Sequence, residues 1–122
     1  GADFRGANLT NANFTPLESR PGQGTITTLA KNVLKSCDFS AANMKGAILT
    51  RADLTFSRFV GTDLTGADLT AADLSMVDFT GADLTGADLA GADLYGARLT
   101  GVRGLDTVKG LSSTVNLDKA TR

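Results

Sequence analysis

The sequence predicts an all-β solenoid, in which the chain winds into stacked coils instead of folding into layers. Two regularities predict it. Every fifth residue from Phe39 to Leu99 is Leu, Phe or Met, and the residue two places before it is usually alanine. Among these residues, which we call centres, Phe recurs every twenty positions, at Phe39, Phe59 and Phe79. Four repeats of five residues therefore form one coil, with the Phe rings stacked on one side.

The period of five excludes regular secondary structure over the repeats. Neither the 3.6-residue period of a helix nor the two-residue period of a strand would keep every centre on one face. The chain must turn once per repeat, so that each centre and the small residue two places before it both point inward. Three earlier centres, Phe4, Leu9 and Phe14, bring the total to sixteen. We therefore expect about four coils, spaced about 4.8 Å apart like paired strands.

The chain is predicted to be a single domain, residues 1–122, with four segments in order. The first repeats occupy residues 1–15, an insertion residues 16–35, the main repeats residues 36–103, and a C-terminal cap and tail residues 104–122. The chain opens inside a repeat, which suggests a piece of a longer or processed protein.

The insertion is predicted to contain a loop and a short helix. Pro16, Pro21 and Gly22 favour a loop. Thr28 or the threonine before it can cap a helix over residues 28–35, where apolar side chains have helical spacing.

The spacing across the insertion suggests where it leaves the solenoid. Phe39 follows Phe14 by twenty-five residues, which is five repeat lengths. If Phe39 occupies the side that follows Phe14, the insertion leaves the first coil beside the corner that carries Phe56 and Met76.

The residues after Leu99 leave the period of five. Leu105, Val108 and Leu111 are three apart, which predicts a short helix or helical turn that caps the last coil. The segment 115–117 resembles one more motif in a shifted phase, so the chain could instead continue past the cap or end in a disordered tail.

The repeat resembles the motif of the pentapeptide-repeat family, which is small, Asp or Asn, Leu or Phe, Ser, Thr or Arg, then any residue. Residues 81–89 read Gly-Ala-Asp-Leu-Thr-Gly-Ala-Asp-Leu, and the likeness covers residues 1–15 and 36–103. It implies a right-handed quadrilateral parallel β-helix with two of every five side chains inside. The motif is broken at a few positions, which are Ile48, Ser57, Thr62 and Val77. Many members come from cyanobacteria and plastids, so the resemblance implies the thylakoid lumen or the cytoplasm as the location.

The composition removes several classes of chemistry. There is no histidine, so neither a Ser-His nor a Cys-His nucleophile is available. Cys37 is the only cysteine, and it lies at an inward position where we expect a small buried side chain. We expect no catalytic site, no cofactor, no metal, no nucleic-acid partner and no membrane insertion.

Aspartates precede many of the centres and point outward. The candidate acidic surface consists of Asp53, Asp63, Asp68, Asp73, Asp83, Asp88 and Asp93. The plain interpretation is that each carboxylate accepts backbone hydrogen bonds at its own turn. Calcium binding requires six to eight converging oxygens, which a flat ladder of carboxylates does not provide. The resemblance adds an alternative, because some family members imitate duplex DNA with an acidic surface and bind DNA gyrase, a type II topoisomerase.

Three large apolar residues occupy outward positions near one corner, and they form the candidate partner surface: Phe56, Met76 and Tyr95. They could be covered by the inserted helix, bind a partner, or be scattered surface residues. We expect a non-enzymatic structural or interaction module with an unknown protein partner, most simply a monomer, with a dimer left open. The alternative is the acidic gyrase-binding mimic.

Overall fold

Four ladders of parallel β-bridges run along the molecule, one on each side of a four-sided solenoid. The computed structural model describes residues 1–15 and 32–122. Side 1 passes through Asp3, Asp38, Arg58, Asp78, Arg98 and Thr121, and side 2 through Asn8, Asn43, Asp63, Asp83 and Arg103. Side 3 passes through Asn13, Ile48, Asp68, Asp88 and Lys109, and side 4 through Val33, Asp53, Asp73, Asp93 and Val115. Each rung is a single bridge, and no strand longer than one residue occurs in these two ranges.

Five coils result, numbered from the end that carries Asp3, and this is one more than the sixteen centres predict. The extra coil has two sources. Leu34 fills side 4 of the first coil as an unforeseen centre, because Val33 bridges Asp53. At the other end, the residues from Arg103 to Thr121 wind on as a fifth coil.

The core is a filled column of centres and small side chains. The Phe column predicted from the twenty-residue period is confirmed: ring centroids of Phe39 and Phe59 are 4.9 Å apart, and those of Phe59 and Phe79 are 5.5 Å apart. Phe4 extends the stack by one ring at 4.9 Å. Phe14 lies outside it and meets the Phe39 ring edge-on. Centres of coils 2 to 4 are fully buried, so the interior is closed by side chains.

A five-residue repeat with aspartate at its bridge position satisfies all five of its backbone N–H groups, as residues 63–67 show. In residues 63–67, the bridge residue donates to the preceding coil, and the centre and the corner glycine donate to the following coil. The N–H of Ala67 closes a turn onto the Leu64 carbonyl at 3.0 Å. The remaining N–H, on Thr65, donates to Oδ1 of Asp63 at 3.0 Å. The aspartate therefore completes the hydrogen bonding of its own repeat, as the plain interpretation expected.

The predicted helix over residues 28–35 is wrong in its second half, and its first half lies outside the described residues. Leu34 donates its N–H to the Asp53 carbonyl at 2.7 Å, so this segment forms a solenoid rung. The Asn32 side-chain amide donates to the Phe14 carbonyl, which brings the two ends of the insertion together. The insertion therefore joins side 3 to side 4 of the first coil. Phe39 follows Leu34 and lies on side 1, so the placement of the insertion that assumed Phe39 on the side after Phe14 is also wrong.

The expected C-terminal helical cap is replaced by a coil of six-residue repeats. The bridge residues Arg103, Lys109, Val115 and Thr121 are six apart. Each corner is enlarged by a 3-10 turn, at Leu105–Thr107, Leu111–Ser113 and Leu117–Lys119. These are the only helices among the described residues. Of the alternatives, continuation in a shifted phase is the one that the structure shows.

Two of the three enlarged corners keep the coils paired through side-chain hydroxyls, and the third does so through the Lys119 carbonyl, which accepts the Gly96 N–H at 3.3 Å. The N–H of Gly86 donates to Oγ1 of Thr107 at 2.9 Å, and the N–H of Gly91 donates to Oγ of Ser113 at 3.3 Å. In the earlier coils a backbone carbonyl accepts the corresponding bond. At these two corners a side-chain hydroxyl thus takes the place of the backbone carbonyl as acceptor, because the extra residue moves that carbonyl away from the glycine N–H.

In neither described range does the structure contain a helix of the length and hydropathy needed to cross a membrane.

Candidate functional site

The exposed large apolar residues of the described chain all lie on side 4 or on its trailing corner, by which we mean the corner where the chain passes from side 4 to side 1 of the next coil. There is one such residue in each coil. They are Val33, Phe56, Met76, Tyr95 and Val115. Between 46% and 65% of each residue's surface is exposed. We call this set the side 4 stripe.

The sequence predicted three members of the stripe and missed the other two. Val33 and Val115 belong to the same ladder as Asp53 and Asp73. The sequence does not reveal Val33 as a member because the predicted helix of the insertion includes it. The sequence does not reveal the side on which Val115 lies because the last coil changes from five to six residues per repeat. The six-residue spacing of Leu105, Leu111 and Leu117 was the available signal.

Two members of the stripe have backbone conformations that large residues rarely adopt. Phe56 and Met76 occupy corner positions with φ of 62° and 61°, where most other repeats have glycine. This left-handed region costs an L-residue about 1–2 kcal/mol. Exposure of their apolar surface is unfavourable as well. The backbone of these two corners therefore does not require large apolar side chains, since glycine adopts the same conformation without strain.

The stripe is continuous between coils 3 and 4. A Cβ added to Gly96 would collide with Sδ of Met76, so the Met76 side chain lies across that glycine. Tyr95 directly precedes Gly96 in the chain. The Met76 N–H also donates to the Tyr95 carbonyl at 2.8 Å, so the two residues lie on neighbouring backbone of adjacent coils.

The seven predicted aspartates do not form one surface, because they are divided among three sides. Asp53, Asp73 and Asp93 lie on side 4, Asp68 and Asp88 on side 3, and Asp63 and Asp83 on side 2. Sides 3 and 4 are adjacent, and side 2 lies across from side 4. Any acidic surface that accompanies the stripe therefore excludes the side 2 pair.

Side 2 carries cations beside its carboxylates. Nζ of Lys45 lies 3.7 Å from Oδ2 of Asp63. Hydrogen bonds from the hydroxyl and N–H of Thr85 hold the pKa of Asp83 below its usual range, with smaller contributions from Arg103 and Lys45. Side 2 is therefore locally balanced in charge.

Side 1 is balanced in the same way, by alternation of sign. Arg58 approaches Asp38 at 3.9 Å, and Arg98 approaches Asp78 at 4.0 Å. The ladder order of Asp38, Arg58, Asp78 and Arg98 brings opposite charges together in successive coils.

Sides 3 and 4 of coils 3 and 4 are uniformly acidic. Residues 66–77 and 86–97 contain four aspartates and no Lys or Arg. We call these four the acidic patch; its members are Asp68, Asp73, Asp88 and Asp93. It lies beside Met76 and Tyr95 of the stripe.

In every carboxylate of the acidic patch, Oδ1 accepts a backbone N–H of its own repeat. Oδ1 of Asp73 accepts the N–H of Ser75 at 3.1 Å, and Oδ1 of Asp93 accepts that of Tyr95 at 3.0 Å. Burial raises the pKa of Asp68, but hydrogen bonds from Thr70 and Thr50 outweigh it, and the pKa is lowered. The patch therefore presents carboxylates that hydrogen bonds to the backbone hold in fixed positions.

Asp53 differs from the other aspartates of its ladder. It is buried, its Oδ1 accepts the hydroxyl of Thr55 at 2.8 Å, and its Oδ2 lies 3.9 Å from Nζ of Lys35. We therefore leave Asp53 out of the acidic patch. Cys37 is buried, as the sequence predicted. Within the described ranges, no three Asp, Glu or Cys side chains converge as metal ligands would.

The sequence profile of the family described as pentapeptide repeats matches residues 1–15, 33–70 and 62–101 with eight copies. Its second match begins at Val33, in agreement with the rung found there. No curated protein sequence matches the chain.

Solved structures of three related proteins are similar over most of the chain. One, from the Arabidopsis thaliana thylakoid lumen, is 30% identical with a TM-score of 0.60, over 84% of this chain and 64% of that one. HetL, involved in heterocyst differentiation regulation in the cyanobacterium Nostoc, is 26% identical with a TM-score of 0.65, over 98% and 51%. A third, from the cyanobacterium Cyanothece, is 27% identical with a TM-score of 0.52, over 98% and 87%. The chain thus spans less than two thirds of the first two.

Proposed function

This chain belongs to the pentapeptide-repeat family, and on that premise we propose that it is a non-enzymatic interaction module that binds a protein partner through the side 4 stripe and the acidic patch. Its similarity to solved members of the family implies that the coil is right-handed. The observation that carries the proposal is the placement of one exposed, large apolar side chain per coil on a single side.

Three features support binding over a structural role for the stripe. The two corner residues, Phe56 and Met76, adopt a backbone conformation that glycine would adopt without strain. The apolar set continues through all five coils, which scattered surface residues would not do. The lumen beneath it is filled by buried centres, so the proposed function depends on the outer surface.

A comparative recovery experiment tests this function. The full chain and a variant with Phe56→Ser, Met76→Ser and Tyr95→Ser are immobilised and exposed to a soluble extract of the source. A matched control carries Thr65→Ala and Thr85→Ala on side 2. We expect a partner that the control retains and the stripe variant loses. Equal recovery by all three proteins would contradict the proposal.

The acidic patch favours one second candidate, an acidic surface that binds a type II topoisomerase in place of DNA. The patch has the required charge, but four coil steps extend only about 19 Å. Arginines also alternate with aspartates on side 1. Inhibition of gyrase supercoiling that is lost in the Asp73→Asn, Asp93→Asn variant would favour this candidate. The absence of inhibition would remove it.

The location is a further proposal. Similarity to a thylakoid-lumen protein and to cyanobacterial proteins supports the thylakoid lumen or the cytoplasm. Fractionation of source cells with an antibody against the chain tests it, and recovery in neither compartment would contradict it.

A further inference from the structure

We propose, on the basis of the proposed function, that the partner segment is a basic amphipathic α-helix of about three turns that lies obliquely along the side 4 stripe. Three independent features of the surface lead to this choice. They are the spacing of the apolar side chains of the stripe, which we call anchors, along the solenoid axis, the oblique path of these anchors, and the position of the charges.

The pitch of the stripe suits a helix. Its apolar side chains occur once per coil, which is about 4.8 Å along the solenoid axis. An α-helix presents one side chain per turn of about 5.4 Å to a given face. An inclination of about 27° between the two axes makes these distances equal. A β-strand presents same-face residues about 6.7 Å apart and would need an inclination of about 45°.

The path of the stripe is inclined in the required manner. Phe56 and Met76 lie at the trailing corner, three residues after their rung, and Tyr95 lies two residues after its rung. Val115 is itself a rung residue. From coil 2 to coil 5 the anchors therefore move from the corner across side 4. These three coil steps correspond to about 11 helical residues, while Val33 lies to one side of the line.

The charges determine the composition and the orientation of the helix. The acidic patch borders the stripe toward side 3, so Lys or Arg is expected on that flank of the helix. On the other flank of the stripe, on side 1, Arg58 and Arg98 are already paired with aspartates. A second copy of this chain fits less well, because a two-fold contact would place the carboxylates of the two patches together. Nucleic acid is disfavoured by like charge.

A designed peptide provides the probe. It has about 16 residues, with Leu at i, i+4, i+7 and i+11, Lys after each Leu, and Ala or Gln elsewhere. Binding to the full chain is measured by fluorescence anisotropy. One control peptide replaces every Lys by Glu. A second has the same composition but alternates Leu and Lys, which removes the helical stripe.

Variants of the chain separate charge from packing. Asp73→Asn with Asp93→Asn removes two charges and retains the oxygens that accept the turn N–H groups, as Asn8 and Asn43 do in their own repeats. The matched pair is Asp63→Asn with Asp83→Asn on side 2. Phe56→Ser with Met76→Ser removes two anchors.

We expect the Lys peptide to bind better than both controls. The Asp73, Asp93 variant should weaken it about fivefold and the anchor variant about tenfold, while the side 2 pair leaves it unchanged. No binding, equal binding of the Glu peptide, or equal loss in the side 2 pair would overturn the helix proposal. If no peptide binds but the recovered partner still depends on the stripe, the helix proposal fails alone and the proposed function stands. If neither the peptide nor a partner depends on the stripe, both fail.

Discussion

Phe56 occupies in coil 2 the corner that Met76 occupies in coil 3, and both residues have a left-handed backbone with φ near 60°. At this position of the repeat, glycine has no steric penalty. The pair therefore separates the requirements of the fold from those of the proposed function, because neither side chain is part of the buried core.

Replacement of Phe56 by glycine is expected to leave the free energy of unfolding unchanged or to raise it by up to about 1 kcal/mol. Relief of the left-handed conformation outweighs or balances the greater entropy of the unfolded glycine. The buried Phe59→Ala is the control, with an expected loss of about 3–5 kcal/mol. Urea denaturation measures both. A loss above about 1 kcal/mol for Phe56→Gly would show that Phe56 stabilises the fold.

Gly110→Ala is expected to disrupt the fifth coil, whereas Gly86→Ala is expected to be tolerated. Both glycines have positive φ, but a Cβ at Gly110 would lie 2.6 Å from Cα of Ala90, and at Gly86 it would meet nothing within 4 Å. Gly86→Ala should cost about 1 kcal/mol, and Gly110→Ala at least about 2 kcal/mol more. Thermal unfolding gives the stabilities, and hydrogen exchange locates the change in residues 104–121. Equal costs would mean that the fifth coil is not packed as described.

Ser57→Ala is expected to cost about 1–3 kcal/mol. The Ser57 hydroxyl accepts the Cys37 N–H at 3.1 Å and donates to the Leu34 carbonyl at 2.7 Å. In the later repeats, the N–H of the small inward residue donates directly to the carbonyl of the preceding centre. Here the Ser57 hydroxyl bridges these two groups, so its removal leaves the Cys37 N–H without an acceptor.

Thr62→Ala is the matched control for Ser57→Ala. Thr62 donates to the Phe39 carbonyl at 2.7 Å, but that oxygen also accepts the Ala42 N–H, so the expected loss is below about 1 kcal/mol. Urea midpoints at neutral pH compare the two variants. A smaller loss for Ser57→Ala than for Thr62→Ala would show that the turn closes directly when the hydroxyl is absent.

Acid is expected to destabilise the solenoid below about pH 4. The pKa values of four aspartates are lowered in the folded state: Asp38, Asp68, Asp78 and Asp83. Burial opposes the shift at all four and is the largest single effect at Asp68 and Asp78, but hydrogen bonds to each carboxylate, joined by neighbouring cations at all except Asp68, outweigh it. Because these pKa values lie below the unfolded value of about 3.9, the stabilisation is complete above that value and is lost as pH falls through the folded values. Urea midpoints from pH 7 to about pH 2.5 measure this. Asp38→Asn together with Asp83→Asn should flatten the profile, and an unchanged profile would contradict the assignment.

Replacement of residues 16–31 by a single glycine is expected to give a folded solenoid. The product reads Phe14-Thr15-Gly-Asn32-Val33-Leu34, which restores a five-residue repeat across the corner between sides 3 and 4. Circular dichroism and exchange protection at Leu34 would match those of the full chain. A control that replaces the same segment by three glycines breaks the period. If the control were the more stable of the two, Leu34 would not be the centre of side 4.

The sequence predicted the parts of the fold that depend on an uninterrupted period. Phe39, Phe59 and Phe79 belong to one unbroken run, so the spacing alone placed them in one column. The turn role of the aspartates followed from their fixed place before each centre.

Prediction failed where the period changes. The distance from Phe14 to Phe39 is a multiple of five, and this is compatible with more than one choice of side. Only the bridge between Val33 and Asp53 decides it. Leu105, Val108 and Leu111 have the spacing of a helical turn and also that of a six-residue repeat. Hydrogen bonding to the preceding coil favours the six-residue repeat. The distribution of the stripe over five coils becomes apparent only when the insertion is placed between sides 3 and 4 and the C-terminal residues are placed in a fifth coil.

Site-specific photocrosslinking tests the central claim most directly. A benzophenone side chain replaces Met76 on the stripe in one protein and Thr65 on side 2 in another, and each is irradiated in the soluble extract of the source. We predict a discrete adduct with a partner protein from position 76 and none from position 65. Adducts of equal yield from both positions, or an adduct from side 2 alone, would contradict the assignment of side 4 as the binding surface.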